Sequence, residues 1–129
     1  MKSSSDTETV SALLPWPPSV NTLWRAVNGR NILSKKGREF KDKCNEIFKG
    51  TDPKFYQKER LFLTLTLRPP DKRRRDISNL IKAVEDSLPW YDDDSQIDAL
   101  VVLRGETDPE KNGFVVAQCG IYEPAEWEQ

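Results

Sequence analysis

The 129-residue chain contains no histidine. That absence removes Ser-His-Asp and Cys-His nucleophilic catalysis, HExxH zinc hydrolysis and the His/Cys/Cys zinc of the deaminases. Any hydrolysis must then rest on carboxylates, lysine, or a metal held by oxygen. Cysteine is scarce too. Cys44 and Cys119 stand far apart, in no Cys-x-x-Cys spacing, so neither a zinc framework nor a disulfide scaffold is expected. The N-terminus, MKSSSDTETV, has no apolar stretch of the signal-peptide kind, and no run approaches a membrane span. The expectation is a cytoplasmic protein with free thiols and no membrane partner. Net charge is also nearly lacking, at −1, so the chain is not globally basic.

What is present is charge in separated blocks. Residues 24–43 carry a net +5, with Arg25, Arg30, Lys35 and Lys36 among the cations. Residues 68–75 carry +4 and include Lys72, Arg73, Arg74 and Arg75. Residues 85–98 carry −6. Such separation can set a polyanion-binding surface beside a metal or acid site, although most charge runs are only solvated surface. The length suits one domain. Hydrophobic residues make up 36% and charged residues 32%, which is polar for a monomer and hints at dimerisation.

Local pattern divides the chain into tails at 1–9 and 123–129 around a single domain at 10–122. Val10 to Leu14 reads as a strand ended by Pro15, Pro17 and Pro18, with Trp16 as a packing anchor. Asn28-Gly29 predicts a tight hairpin. Ser34 is placed to cap a helix to about Phe48, with Leu33, Phe40, Cys44, Ile47 and Phe48 on its apolar side. Residues 50–58 read as a loop. RLFLTLTL alternates as a strand with a buried leucine face. A second helix is expected from Ile77 to about Leu88, with Ile77, Leu80, Ile81, Val84 and Leu88 inward. Asn79, Lys82 and Asp86 then fall on the opposite side. IDALVVLRG and GFVVAQCGIY read as two more strands, joined through ETDPEKN as an antiparallel hairpin. The fold class is α/β (α+β): one mixed sheet with two main helices.

The chemistry concentrates in RRRDISNLIKAVEDSLPWYDDDSQ. Phosphodiester cleavage without histidine calls for Mg²⁺, a hard ion that takes carboxylates, water and phosphate oxygens. Asp76 at the helix mouth and Asp93 and Asp94 in the loop can meet if the helix folds back on the loop. Lys82 can then contact the scissile phosphate, and Arg73, Arg74 and Arg75 the flanking ones. A plainer account covers the same residues. Asp76 would be only an N-cap, Lys82 and Asp86 an i,i+4 pair on a solvated face, and Asp92–Asp94 a polar turn.

Three blocks, LPWPPSVN, PPDKRRRDISNLIKAVEDSL and DDSQI, in this order and spacing resemble the RusA family of Holliday-junction resolvases over about residues 10–122. The resemblance implies a RusA-like fold and a homodimeric, often prophage-encoded endonuclease of bacterial or phage origin. It would resolve four-way DNA junctions in recombination and repair, in a Mg²⁺-dependent reaction for which Mn²⁺ can substitute. The family pattern Asp-x-Asp-Asn-x-x-Lys, followed by Asp-Asp, puts Asp76 at the first carboxylate, Asn79 at the asparagine and Lys82 at the catalytic lysine. Asp94 takes the loop carboxylate, with Asp93 beside it, and Asp86 a recurrent acidic position. Asn79 joins the arginines, Lys72, Arg25, Arg30, Lys35 and Lys36 as a DNA contact. Ser78 departs from the pattern: it stands where the family commonly has its second aspartate. Its hydroxyl can ligate Mg²⁺ but brings no charge. Ser78, Asp86 or Asp93 then completes the metal site, or the chain binds junctions and cuts them poorly. A third alternative is a protein-interaction domain whose charges are only surface.

Overall fold

The computed structural model describes residues 9–50 and 58–124. The expected tails, apart from Thr9, Glu123 and Pro124, and most of the expected 50–58 loop lie outside those residues. Among the described residues, six strands and three α-helices follow in the order β1 (Thr9–Pro15), α1 (Val20–Leu23), β2 (Trp24–Val27), β3 (Arg30–Leu33), α2 (Lys35–Ile47), β4 (Leu61–Arg68), α3 (Ile81–Glu85), β5 (Ile97–Arg104) and β6 (Phe114–Ile121). A 3-10 turn, Ile77–Leu80, leads into α3, and another, Asp94–Gln96, leads into β5.

The main sheet has the order β1-β6-β4-β5. The β1–β6 and β6–β4 pairs are antiparallel, and β4–β5 is parallel. This corrects the expected β5–β6 hairpin. The loop between them crosses the end of β4 instead. Gly105 N–H donates to Leu67 O and Asp108 N–H to Pro69 O, both at 2.7 Å. The chain is thereby carried around β4, and β6 enters on its other side. Asp108, 5% exposed, fixes this crossing. Its carboxylate accepts the amides of Glu110, Asn112 and Gly113 at 2.9–3.1 Å. The parallel β4–β5 pair in turn requires a long crossover, and the segment containing α3 supplies it.

The two faces of the sheet differ. Leu61, Leu63, Leu65 and Leu67 of β4 are wholly buried, as alternation predicts. They join Phe40 and Cys44 of α2, Leu80, Ala83 and Val84 of the α3 segment, and Trp90 in one core. The opposite face has three uncharged rows, Leu13–Val116–Thr66–Leu103, Ser11–Gln118–Thr64–Val101 and Thr9–Gly120–Phe62–Ala99, and a fourth, Pro15–Phe114–Arg68, that puts a cation at its end. Leu13, Val101 and Leu103 on it are 59%, 48% and 51% exposed.

Local signals account for much of the rest. Ser34 caps α2, its Oγ accepting Gly37 N–H at 3.0 Å. Gly37 has no room for a side chain, since a Cβ there would stand 2.7 Å from Leu23 O. Asn28 and Gly29 take φ of 52° and 77°, the left-handed pair that a type I′ turn needs. Two details depart from expectation. Ile47 is 44% exposed although periodicity put it on the apolar side of α2; it lies in the last turn and borders an open cavity shared with Leu13, Pro15 and Phe114 at the end of the sheet. The helix expected over 77–88 is shorter and in two parts. Asn79 N–H bonds Asp76 O, three residues back, which tightens the first turn into 3-10 geometry. Pro89 then stops the chain from continuing as helix.

Candidate active site

Lys82 lies on the outer side of α3. Its ammonium is 3.3 Å from Asp86 Oδ1, one turn on, and 3.6 Å from Asp94 Oδ2 across the loop. The hydrogen bond to Asp86, and then the charges of Asp86 and Asp94, hold Lys82 above its usual pKa, so it stays protonated. The plainer i,i+4 pair therefore exists, and a second, non-local carboxylate completes it. The three side chains line an open, mostly acidic pocket of about 360 Å³, with Glu85, Asp92 and Asp93 around it and Leu88 and Tyr91 as its apolar wall.

A buried glutamine fixes the loop side. Gln96, 6% exposed, accepts the amides of Asp92 and Asp93 at 2.9 and 3.2 Å and donates to Glu59 O at 3.1 Å. Asp93 is the N-cap of the 3-10 turn and also accepts from Ser95 Oγ, so its carboxyl sits below the usual range. Arg60 donates to Ser95 O and, bidentately, to Asp98. Asp94 is thus presented by a braced turn. Arg60 carries no sequence signal, because its partners lie more than 30 residues away. For Gln96 the one local signal is the Asp93-x-x-Gln96 capping-box spacing, while its bond to Glu59 is non-local.

Glu85 and Tyr91 were also missed. Glu85 follows Lys82 by three residues, and that spacing is the one signal that could have found it. Burial, and then the Asp94 charge, push its carboxyl above the usual range. Tyr91 donates its hydroxyl to Glu85 O at 2.8 Å. Burial pushes its phenol well up, so it remains neutral.

The remaining residues are placed as follows. Asp76 is exposed, precedes the 3-10 turn with extended backbone, and makes no side-chain cap bond. The simple N-cap account therefore fails for it. Asp76 does not line the pocket of Lys82 and Asp94. Four residues of 3-10 and two of α rise separate it from Lys82, about 11 Å along the segment. Ser78 is exposed and Asn79 half-buried on the same turn. Lys72, Arg73 and Arg74 are exposed. Arg75 differs: its side chain is only 16% exposed, with the guanidinium 2.8 Å from Asp71 and stacked 5.7 Å from the Trp16 ring centre. It also donates to the carbonyls of Asp71 and Arg73. That is a brace for the basic loop rather than an outward cation. Arg25 and Arg30 are exposed on the β2–β3 hairpin, and Lys35 and Lys36 on the first turn of α2.

Comparison with known proteins settles the lineage. The family model described as Endodeoxyribonuclease RusA matches residues 15–115, a span that holds the Lys82–Asp86–Asp94 pocket, the basic loop and the hairpin. The chain belongs to the RusA family. Among its relatives, the crossover junction endodeoxyribonuclease RusA of Shigella sonnei is 36% identical over 87% of this chain and 97% of its own length. The protein of that name from Escherichia coli matches with the same identity and coverage. The crossover junction endodeoxyribonuclease rusA of Enterobacteria phage 82 is 36% identical over 83% of this chain and 92% of its own. The RusA family thus spans phage and bacterial genomes. In this member no described helix is long and apolar enough to cross a membrane.

The donor chemistry of the pocket suits a hard divalent ion: carboxylate oxygens, with no sulfur or imidazole. Among the described residues no three acidic or cysteine side chains converge closely enough to hold a metal by themselves. Mg²⁺ does not need such a cage. It usually takes one or two carboxylates and completes its shell with water and substrate phosphate. Asp86 and Asp94 already flank one cation, the Lys82 ammonium.

Proposed function

We propose that this chain is a crossover-junction endodeoxyribonuclease that cuts four-way DNA by metal-dependent hydrolysis, with the Lys82–Asp86–Asp94 pocket as its reaction centre. The observation that carries this is a protonated lysine held between two carboxylates in a RusA chain. Asp94 and Asp86 would hold Mg²⁺, or Mn²⁺ in its place, with Asp93 as a nearby oxygen donor and Ser78 as a hydroxyl on the preceding turn. The ion, when bound, supplies an activated water and neutralises charge on the leaving oxygen. Lys82 donates to a non-bridging oxygen of the scissile phosphate and stabilises the charge that develops there. Asp76 contributes a carboxylate from the far end of the same helical segment. Leu88 and Tyr91 close one side of the pocket and limit water around the reacting phosphate.

Exposed Lys72, Arg73 and Arg74 receive the flanking backbone, while Arg75 holds their loop in shape. Arg25, Arg30, Lys35, Lys36 and Asn79 extend the contact to the arms. Such contacts go to phosphates, and they select structure rather than sequence. With a net charge of −1, binding is confined to one face and falls steeply with salt.

The active unit is a homodimer, because a four-way junction has near two-fold symmetry and needs two opposed nicks. The open face of the sheet, neutral but for Arg68 at its end, supports this. Four strands at ~4.8 Å spacing and ~3.3 Å rise span roughly 20 by 25 Å, about 500 Å² in projection. With its pleats, that approaches the ~800 Å² per partner of a stable interface. In a chain with 32% charged residues, twelve consecutive neutral positions on one face favour apposition of a second copy. The working compartment is the bacterial cytoplasm.

The test is cleavage of a labelled mobile four-way junction with Mg²⁺, with Mn²⁺ and with EDTA. Paired nicks that need metal and vanish in Asp76→Asn, Asp94→Asn and Lys82→Ala, with junction binding retained, are expected. Normal cutting by all three variants would remove the site assignment. Ser78 favours a second reading, a junction binder with weak catalysis. Tight binding without nicks in either metal would establish it.

A further inference from the structure

The β2–β3 hairpin forms a two-stranded sheet of its own, separate from the main sheet. Its register puts Arg25 opposite Ile32 and Val27 opposite Arg30, so one face carries two guanidinium groups and two aliphatic side chains. The other face carries Trp24, Ala26, Asn31 and Leu33. Trp24 starts this hairpin and is 39% exposed. The other described tryptophans are engaged: Trp90 is 5% exposed and edge-on to Phe48, and Trp16 lies under Arg75.

The place of Trp24 is informative. It shares a small cavity of about 70 Å³ with Leu33, Lys41, Asp86 and Ser87. Asp86 also lines the Lys82–Asp94 pocket. The indole therefore stands at the rim of the reaction centre, on the hairpin side, with Lys41 lining the same cavity and Arg25 on the other face of the hairpin. A partly exposed indole beside a lysine is a platform on which an unstacked base can stack.

We propose that Trp24 is a stacking platform for the nucleobase face exposed at the branch point of the junction, held there by the β2–β3 hairpin. This rests on the nuclease reading above and supplies what phosphate contacts lack. Linear duplex presents the same phosphates but no open base face along its length. At a branch, base stacking is interrupted and a face becomes available. Stacking on Trp24 thereby converts branching into affinity, and does so beside the bond to be cut. Arg25 and Arg30 hold the strands that diverge around the hairpin.

The experiment uses the full chain and a four-way junction with 2-aminopurine beside the branch. Binding, 2-aminopurine emission and metal-dependent cleavage are followed for wild type, Trp24→Ala, Trp24→Met and Trp24→Phe, with linear duplex of the same sequence as reference. Methionine keeps apolar bulk but has no aromatic face, so it separates packing from stacking. The expected result is a loss of roughly tenfold or more in junction affinity for the alanine and methionine variants. Duplex affinity stays within about twofold of wild type, the 2-aminopurine response disappears, and phenylalanine recovers most of it.

A methionine variant with wild-type junction preference and fluorescence response would overturn the proposal, as would a change of subunit number in light scattering, which would assign the indole to a protein contact. If wild type itself shows no preference for the junction, the nuclease reading fails first, and the Trp24 proposal falls with it. Wild-type discrimination that survives Trp24→Met removes the platform alone.

Discussion

Replacing Leu103 with glutamate tests the dimer where its physical basis is simplest. Leu103 lies in the row Leu13–Val116–Thr66–Leu103 on the open sheet face and is 51% exposed. Fully burying a leucine is worth about 1.5–3 kcal/mol. The half still exposed therefore leaves roughly 1 kcal/mol to be gained when a second copy covers it. A two-fold interface uses the residue twice, so removal costs about 2 kcal/mol before any charge is counted. Two carboxylates must then be desolvated as well, which adds to the loss. The dimer dissociation constant should rise at least roughly thirtyfold. The isolated subunit should keep its stability, because an exposed substitution usually moves it by no more than about 0.5 kcal/mol. Sedimentation equilibrium or light scattering over a dilution series reads the constant, and thermal melting of the dilute protein provides the control. An unchanged dissociation constant would refute the reasoning, and so would a wild type that stays monomeric throughout the range.

Other outcomes follow from particular contacts. Gln96→Leu leaves the Asp92 and Asp93 amides and Glu59 O without their partner, so it should destabilise by about 1–3 kcal/mol in denaturant melts and lower cleavage more than junction binding. Ser78→Asp adds a carboxylate on the turn that begins at Ile77. It should raise Mg²⁺ affinity, read by metal titration of cleavage and by metal-dependent thermal shift, and no gain in either would mean that Ser78 is not a deficit. Asp108→Asn should lower the melting temperature in a pH-dependent way. The backbone donors of Glu110, Gly113 and Asn112 depress the Asp108 carboxyl, so its stabilisation is present above the unfolded value, near 3.9, and is lost as pH falls through the lower folded one. The melting difference from wild type should therefore be full at neutral pH and shrink as pH falls below the unfolded value, about 3.9. Burial pushes the Cys44 and Cys119 thiols up to about 11 and about 12, so neither should react with a thiol reagent at pH 8 until the protein is unfolded.

The sequence by itself determined whatever depends on neighbours a few residues apart. The leucine alternation of β4, the left-handed pair Asn28-Gly29, the Ser34 cap and the Lys82–Asp86 spacing all follow from local geometry, and each stands as read. The three sequence blocks that resemble the RusA family also sufficed to place the chain in it. Tertiary structure alone decided which elements meet. The loop after β5 crosses the end of β4, so β6 pairs with β4 and not with β5. A local hairpin signal cannot register the competing bonds from Gly105 and Asp108 to the β4 end. Arg75 looks like its two arginine neighbours in sequence, yet Asp71 and Trp16 draw it inward. Asp94 reaches Lys82 only because Gln96 and Arg60, both bonded across more than 30 residues, hold the acidic turn against α3. Spacing along a chain fixes the direction in which a side chain points. Which distant side chain it faces is set by the burial of the leucine face, and that choice belongs to the whole fold.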